Sequence, residues 1–251
     1  MPQFSDDLFL GAAQTYMGTN ATSNLGDPSP MDLGVGPVGR IYVWDTVPAA
    51  KAANNLVTST TPAAAGSLTL TAGTGITAVT LASGSTAYQV DVPRAVSVTQ
   101  VAAGTARVFT VTGTDYYGQA MSEAITSVAG STVNGKKAFF QITSIAVSGA
   151  TTTAVTVGTA DVFGAPVKFS NKGYIARCGW DDTLAEDAAT VVDAVSTTPS
   201  TTTGDVRGTV TPSSAADGAK RLVVAILLTG IQVGPNATRA GALGVNQNLV
   251  S

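Results

Sequence analysis

Apolar and polar positions alternate with a period of two through the middle of the chain. Leu68 and Leu70 alternate with Thr69 and Thr71, and Tyr88, Val90 and Val92 with Gln89 and Asp91. Phe109/Val111, Phe140/Ile142, Ile145/Val147 and Val155/Val157 continue the pattern. Successive side chains of a strand point to opposite faces, so this period predicts strands with one face in a core. Gly-, Ser-, Thr- and Asn-rich clusters at 72–75, 83–85, 103–105, 134–135 and 148–149 separate the runs. Short strands with such turn signals between them predict an all-β fold, an Ig-like or jelly-roll-like β-sandwich.

Local turn chemistry predicts three hairpins. The first joins 108–114 to 119–128 through Asp115-Tyr116-Tyr117-Gly118, where Asp caps the backbone and Gly supplies a positive φ. The second rests on Asn134-Gly135, the favoured two-residue hairpin turn. The third joins 205–211 to 219–228 around 212–218. Its return strand, Leu222 to Leu228, is apolar on both faces, which predicts a central strand or one covered by a partner chain. Thr183 to Val195 is the one stretch with a helical stripe, Leu184, Ala188, Val191 and Val195; the β-rich context favours a strand over 190–195 instead.

The ends differ from the middle. Pro2, Pro28, Pro30, Pro37 and Pro48, five of the eleven prolines, precede Ala49, and alternation there is poor outside Arg40 to Trp44. This divides the chain into an extended N-terminal arm (1–60), a β-sandwich domain (61–170), and an additional hairpin region with an irregular C-terminal tail (171–251). An arm without a core of its own has to lie on something else. Its apolar anchors, Phe4, Leu8, Phe9, Tyr42 and Trp44, are the candidate interface residues.

Composition then narrows the function. Charged residues are 12% of the 251, about half the usual share, and the net charge is −3. That balance opposes a surface that wraps nucleic acid. There is no His and one Cys, so imidazole bases, His triads, internal disulfides and His- or Cys-based metal centres are excluded. The longest run of large apolar residues, seven, falls far short of the ~20 a membrane helix needs. The acidic start Met1-Pro2-Gln3-Phe4-Ser5-Asp6-Asp7 is unlike a signal peptide, so synthesis in the cytoplasm is expected.

The remaining chemical candidates each meet a plainer reading. Asp181, Asp182, Glu186 and Asp187 invite a Ca²⁺ site, but their spacing fits no known loop and a solvated acidic loop is favoured. Asp115 and Asp161 suggest a carboxylate dyad, yet both sit in turns where Asp caps backbone. Cys178 has no base to activate it and reads as a small buried hydrophobe. Lys136 and Lys137 read as a solvated turn flank. Gly34-Val35-Gly36-Pro37-Val38-Gly39 lacks the strand, helix and Lys of a phosphate loop. Trp44, Trp180, Tyr116 and Tyr117 read as core or interface packing. No catalytic residue, metal or cofactor is expected.

Three stretches carry a resemblance. One runs from Phe109 to Glu123 and on through Val133-Asn134-Gly135-Lys136-Lys137-Ala138-Phe139 to Val155–Pro166. The second is Thr203 to Pro212 with Asp217-Gly218-Ala219-Lys220-Arg221-Leu222, and the third Gly34 to Tyr42. Together they resemble structural proteins of tailed-bacteriophage heads, of the capsid decoration (cement) type. The resemblance implies a virion protein made in the host cytoplasm and seated on the capsid exterior. Its implied partners are the major capsid protein and copies of itself, with a trimer as the preferred arrangement, and no nucleic acid and no membrane. A receptor- or glycan-binding head or tail fibre component is the alternative. The absence of an internal repeat favours the decoration protein, which would stabilise the capsid by clamping neighbouring capsid subunits, and the scarcity of Glu, two in the chain, opposes a depolymerase.

Overall fold

Burial follows the sequence alternation residue by residue. Val108–Thr114 (β7) and Ala120–Thr126 (β8) each bury every second residue: Phe109, Val111 and Gly113 on one, Met121, Glu123 and Ile125 on the other. The computed structural model describes residues 3–8, 39–169, 171–183, 185–194 and 204–228. Phe9 and the C-terminal tail beyond 228 lie outside the described residues.

The chain is all-β, and among the described residues every strand pairing is antiparallel. The other strands, in chain order, are Gln3–Leu8 (β1), Gly39–Thr46 (β2), Val57–Thr60 (β3), Gly66–Ser67 (β4), Ile76–Thr80 (β5), Thr86–Gln100 (β6), Thr132–Asn134 (β9), Phe139–Val147 (β10), Val155–Gly164 (β11), Ile175–Trp180 (β12), Thr190–Val192 (β13), Thr209–Thr211 (β14) and Leu222–Leu228 (β15). The larger sheet runs β13-β14-β11-β6-β10-β7-β8, with β3, β4, β5 and β9 added along its margins. The smaller runs β1-β2-β15-β12.

β6 organises the larger sheet. Its first half pairs with β5 and β10; its second half pairs with β11 and β9. The sheet curls so that β8, at its end, comes beside β9. Inside the curl lies one core: Leu56, Val90, Val98, Phe109, Ile125, Phe139, Ile142, Val157 and their neighbours. Fully burying side chains of this size contributes about 1.5–3 kcal/mol each. A second core fills the space between the smaller sheet and the β11–β14 region, from Tyr42, Trp44, Phe163, Phe169, Trp180, Val210, Leu222, Val224 and Ile226.

The first hairpin forms as expected. Asp115 N–H donates to Gln119 O, Asp115 Oδ1 accepts from the N–H groups of Tyr117 and Gln119, and Gly118 has φ 79°. Thr190–Val192 is a strand, as its context favoured.

The other expectations are corrected. Asn134-Gly135 makes no hairpin: β9 and β10 run the same way along one side of β6, and Gly135 N–H donates to Val96 O. Gly135 is there for space, because a Cβ would come within 2.5 Å of a Glu123 carboxylate oxygen. Strands β14 and β15 are not a hairpin either. β14 joins β11 and β13 in the larger sheet, whereas β15 lies between β2 and β12 in the smaller. The segment assigned to an arm is partly built into the body. β2 is an inner strand, Leu56 and Val57 are core residues, and Leu56 and Thr159 donate N–H groups across to Val157 O and Ala52 O. Lys137 is fully buried, not a solvated flank.

Candidate interaction surface

Three connections meet at one end of the curled sheet: 101–107 after β6, 127–131 after β8 and 148–154 after β10. Arg107 is the one charged residue among them. Their sequences, Val-Ala-Ala-Gly-Thr-Ala-Arg, Ser-Val-Ala-Gly-Ser and Ser-Gly-Ala-Thr-Thr-Thr-Ala, are too polar in backbone and too small in side chain to form a core. A buried amide holds them together instead.

Gln100, 0% exposed, donates through Nε2 to Thr105 O (3.3 Å) and Thr153 Oγ1 (3.0 Å), and its Oε1 accepts from Ser127 Oγ (3.1 Å). One side chain thus ties all three connections, and a satisfied buried polar network fixes a single arrangement. Arg107, half-buried, donates through Nε to Ala150 O (2.7 Å), which ties its side chain to a neighbouring loop. Backbone bonds add to this: Val101 N–H to Ala154 O, Gly130 N–H to Ala102 O, Ser127 N–H to Arg107 O. Gly104 lets the loop close on this network, since a Cβ there would lie 2.4 Å from Thr153 Oγ1.

The outcome is a pre-organised, nearly charge-free tip. Val101 is 62% exposed and Val128 51%, and Ala102, Ala103, Ala106 and Ala129 are exposed around them. Side chains this small leave little rotamer entropy to lose on contact.

The sequence-derived interface residues fall elsewhere. Phe4 and Leu8 lie on β1, at register positions opposite Tyr42 and Gly39. Tyr42 and Trp44 are packed inside the second core, 2% and 6% exposed. They line the floor of a cleft of about 220 Å³ that also borders Asp91, Pro93, Tyr116 and Pro166, and of its aromatic rings Tyr116 is the exposed one. The Leu222–Leu228 strand, a candidate contact surface by sequence, has β2 on one side and β12 on the other, with Leu222, Val224 and Ile226 buried.

The charged candidates turn out to be internal ties. Asp115 and Asp161 face separate arginines. Arg207 Nη1 donates to Asp115 Oδ2 (2.9 Å), and Arg94 Nη2 donates to Asp161 Oδ1 (2.7 Å). Each guanidinium also sits over an aromatic ring, Tyr117 and Phe163 respectively. Glu123 closes the margin between β8 and the chain leaving β9 by accepting the N–H groups of Lys136 (2.6 Å) and Lys137 (3.3 Å). Burial pushes its carboxyl above the usual carboxylate range. Burial likewise raises Asp205, which accepts from Ala138, Arg207 and Gly208, and lowers the Lys137 ammonium. Burial, then the charges of Asp187 and Glu186, push the Cys178 thiol up to about 12.

In the acidic segment, Asp181 accepts from Arg221 N–H, Asp182 pairs with Lys220 (3.0 Å), and Asp187 accepts from Ser213 and Ser214. Among the described residues no group of three or more His, Cys, Asp or Glu side chains could hold a metal ion. No described helix is long and apolar enough to cross a membrane. Sequence reasoning noticed 103–105 and 148–149 as turns only. Their shared lack of charge was the available signal for the tip. Comparison with protein-family models, curated proteins and solved structures finds no match.

Proposed function

We propose that this chain is a structural protein that decorates a tailed-phage capsid from outside and stabilises it by clamping neighbouring copies of the major capsid protein. The observation that supports this reading is the tip: tied together through Gln100, nearly uncharged, and carrying two exposed valines. Protein interfaces are depleted of charge at their centres, and a pre-ordered surface loses less entropy on binding than a mobile one. The buried charges serve the fold, which fits a module with no chemistry to perform. A ligand that binds only the assembled lattice stabilises it by RT ln(1 + [L]/Kd), about 2.7 kcal/mol per site at a hundredfold excess over Kd.

The test is titration onto capsids that lack the protein. Contact through an uncharged tip is weakly screened, so affinity should change less than roughly tenfold between about 0.05 and 1 M salt. Val101→Asp with Val128→Asp should abolish binding. Both sites are exposed, so folding stability should stay within about 0.5 kcal/mol of the parent. Salt-driven loss of several orders of magnitude, or a double variant that binds normally, would overturn the assignment.

A further inference from the structure

Three ionisable groups are buried together where the chain runs from β9 into β10. Lys137, Glu123 and Asp205 are 0%, 2% and 3% exposed. Successive backbone N–H groups of that stretch hold the two carboxyls. Glu123 Oε1 accepts from Lys136 (2.6 Å) and its Oε2 from Lys137 (3.3 Å), while Asp205 Oδ2 accepts from Ala138 (3.0 Å). Both carboxyls therefore stand at the root of the Lys137 side chain, whose flexible four-carbon stem is long enough to bring Nζ to either of them. Their charges act on its ammonium, Glu123 more strongly than Asp205.

The site favours neutral partners. Burial lowers Lys137 and raises Asp205. A proton passed from the ammonium to that carboxylate leaves an amine beside a carboxylic acid, with no proton exchanged with solvent. A desolvated lysine amine is a nucleophile. The Asp205 carboxyl is posed to receive it. Its Oδ1 accepts from the N–H groups of Arg207 (2.8 Å) and Gly208 (3.2 Å), two backbone donors that stabilise negative charge building on that oxygen under attack. Oδ2 is then the oxygen that leaves. Glu123, its carboxylate steadied by two N–H groups, is the base of the set.

We propose that Lys137 and Asp205 join in an intramolecular isopeptide bond, with Glu123 carrying the proton. Lys137 Nζ attacks Asp205 Cγ, and Glu123 takes a proton from Nζ as the Nζ–Cγ bond forms. Glu123 returns that proton to Oδ2, the Cγ–Oδ2 bond breaks, and one water leaves. Each chain reacts once, and the step needs no oxidant, reductant or partner. The product ties the entry to β10 to the segment before β14, parts of the chain 67 positions apart at Ala138 and Asp205. Until the bond closes, Lys137, Glu123 and Asp205 titrate as three separate groups.

Intact-mass spectrometry of the full-length protein, denatured after incubation at neutral pH, reads the bond directly. A species one water lighter should accumulate with first-order kinetics, at a rate that dilution does not change. Its tryptic digest should lack cleavage after Lys137 and contain the Lys137 and Asp205 peptides joined. Lys137→Arg should keep full mass. Asp205→Asn should lose one ammonia in place of water, because the leaving group changes. Glu123→Gln should slow the loss at least about a hundredfold. Full mass in the parent, after incubation for as long as it stays folded, overturns the bond whether or not the variants fold. A water loss that persists in Lys137→Arg overturns it too, since a cyclic imide at Asp217-Gly218 would give the same mass. An unchanged rate in folded Glu123→Gln overturns the role given to that residue.

Discussion

Replacing Arg94 with Met should cost the fold about 3 kcal/mol, near the lower end of what breaking a buried ion pair costs. The structure explains both the size and the limit. The guanidinium is 1% exposed and lies 5.0 Å above the Phe163 ring. It donates to Ala160 O (3.0 Å), Ala49 O (2.9 Å) and Asp161 (2.7 Å), and pairs with Asp91 at 3.2 Å. Met matches much of the stem volume but ends short of the guanidinium carbon over the ring, so the loss is that of the charge with its hydrogen bonds and ring contact. Asp161, 7% exposed, is left with Ala216 N–H at 3.4 Å and Lys51 Nζ at 3.9 Å. Lys51 is mostly exposed and can turn inward, which holds the loss below the upper bound of about 5 kcal/mol. For a chain this long the change corresponds to roughly 6–12 °C in Tm. Urea unfolding should show a lower midpoint with an unchanged m value. Adding Asp161→Asn to the Met variant removes the stranded charge and should restore about 1 kcal/mol or more. A loss under about 1 kcal/mol for Arg94→Met would refute the reasoning, as would strictly additive effects in the double variant.

Other expectations follow from the same geometry. Glu123 and Asp205 have carboxyls raised by burial, so each stabilises most below the ordinary carboxylate range and loses that contribution as pH rises through its folded value. The denaturant midpoint should therefore be higher at about pH 5 than at about pH 7.5; a lower one at pH 5 refutes it. Lys137 is lowered, so its contribution returns as pH climbs toward the ordinary lysine range, while the raised Cys178 thiol loses its own above the ordinary thiol range; the midpoint of Lys137→Met should therefore fall more steeply with alkaline pH than the parent's, and parallel profiles would contradict this. Gly158→Ala would place a Cβ 1.8 Å from Ala52 O and should cost at least about 1–3 kcal/mol in a chemical melt. Gly84→Ala, strained by φ +82° but with nothing within 4 Å, should cost only about 1 kcal/mol, and equal losses at the two sites would count against the packing of 49–57 on β11. Cys178 should react with a thiol reagent at the rate of global unfolding, so rapid labelling of the native protein would refute its burial.

Features written into neighbouring residues were legible from the sequence. The β7–β8 hairpin follows from alternation plus Asp115 and Gly118, because turn geometry and strand period act over a few positions. Asn134-Gly135 carried an equally strong local signal and misled, since Glu123, eleven and twelve residues upstream, captures the following N–H groups and draws the chain straight on. Arg94, Lys137 and Arg207 gave no sign of burial, because a charged residue reads as surface unless its partner is known. Asp161 lies 67 positions from Arg94, and Asp115 lies 92 from Arg207. Tyr42 and Trp44 were read as anchors for another molecule because β15, which brings the far end of the chain to them, pairs across a distance that periodicity cannot see. Of the tip, the turns were legible; their convergence on Gln100 was not.

The pairing of β2 with β15 also sets a schedule for synthesis. Gly39–Thr46 leaves the ribosome about 180 residues before Leu222–Leu228, which at 5–20 residues per second is a delay of roughly 10–35 s. Over that interval the curled sheet can close around its own core, because β5 to β11 are contiguous in the chain. The smaller sheet cannot, and β2, with Ile41, Val43 and Trp44, has to wait with its inner edge unpaired. Nascent chains crowded on one message would present that waiting strand side by side. Slow translation or premature termination before Leu222 should therefore send this protein into inclusion bodies or into the hands of chaperones, even though most of the large sheet has already been made.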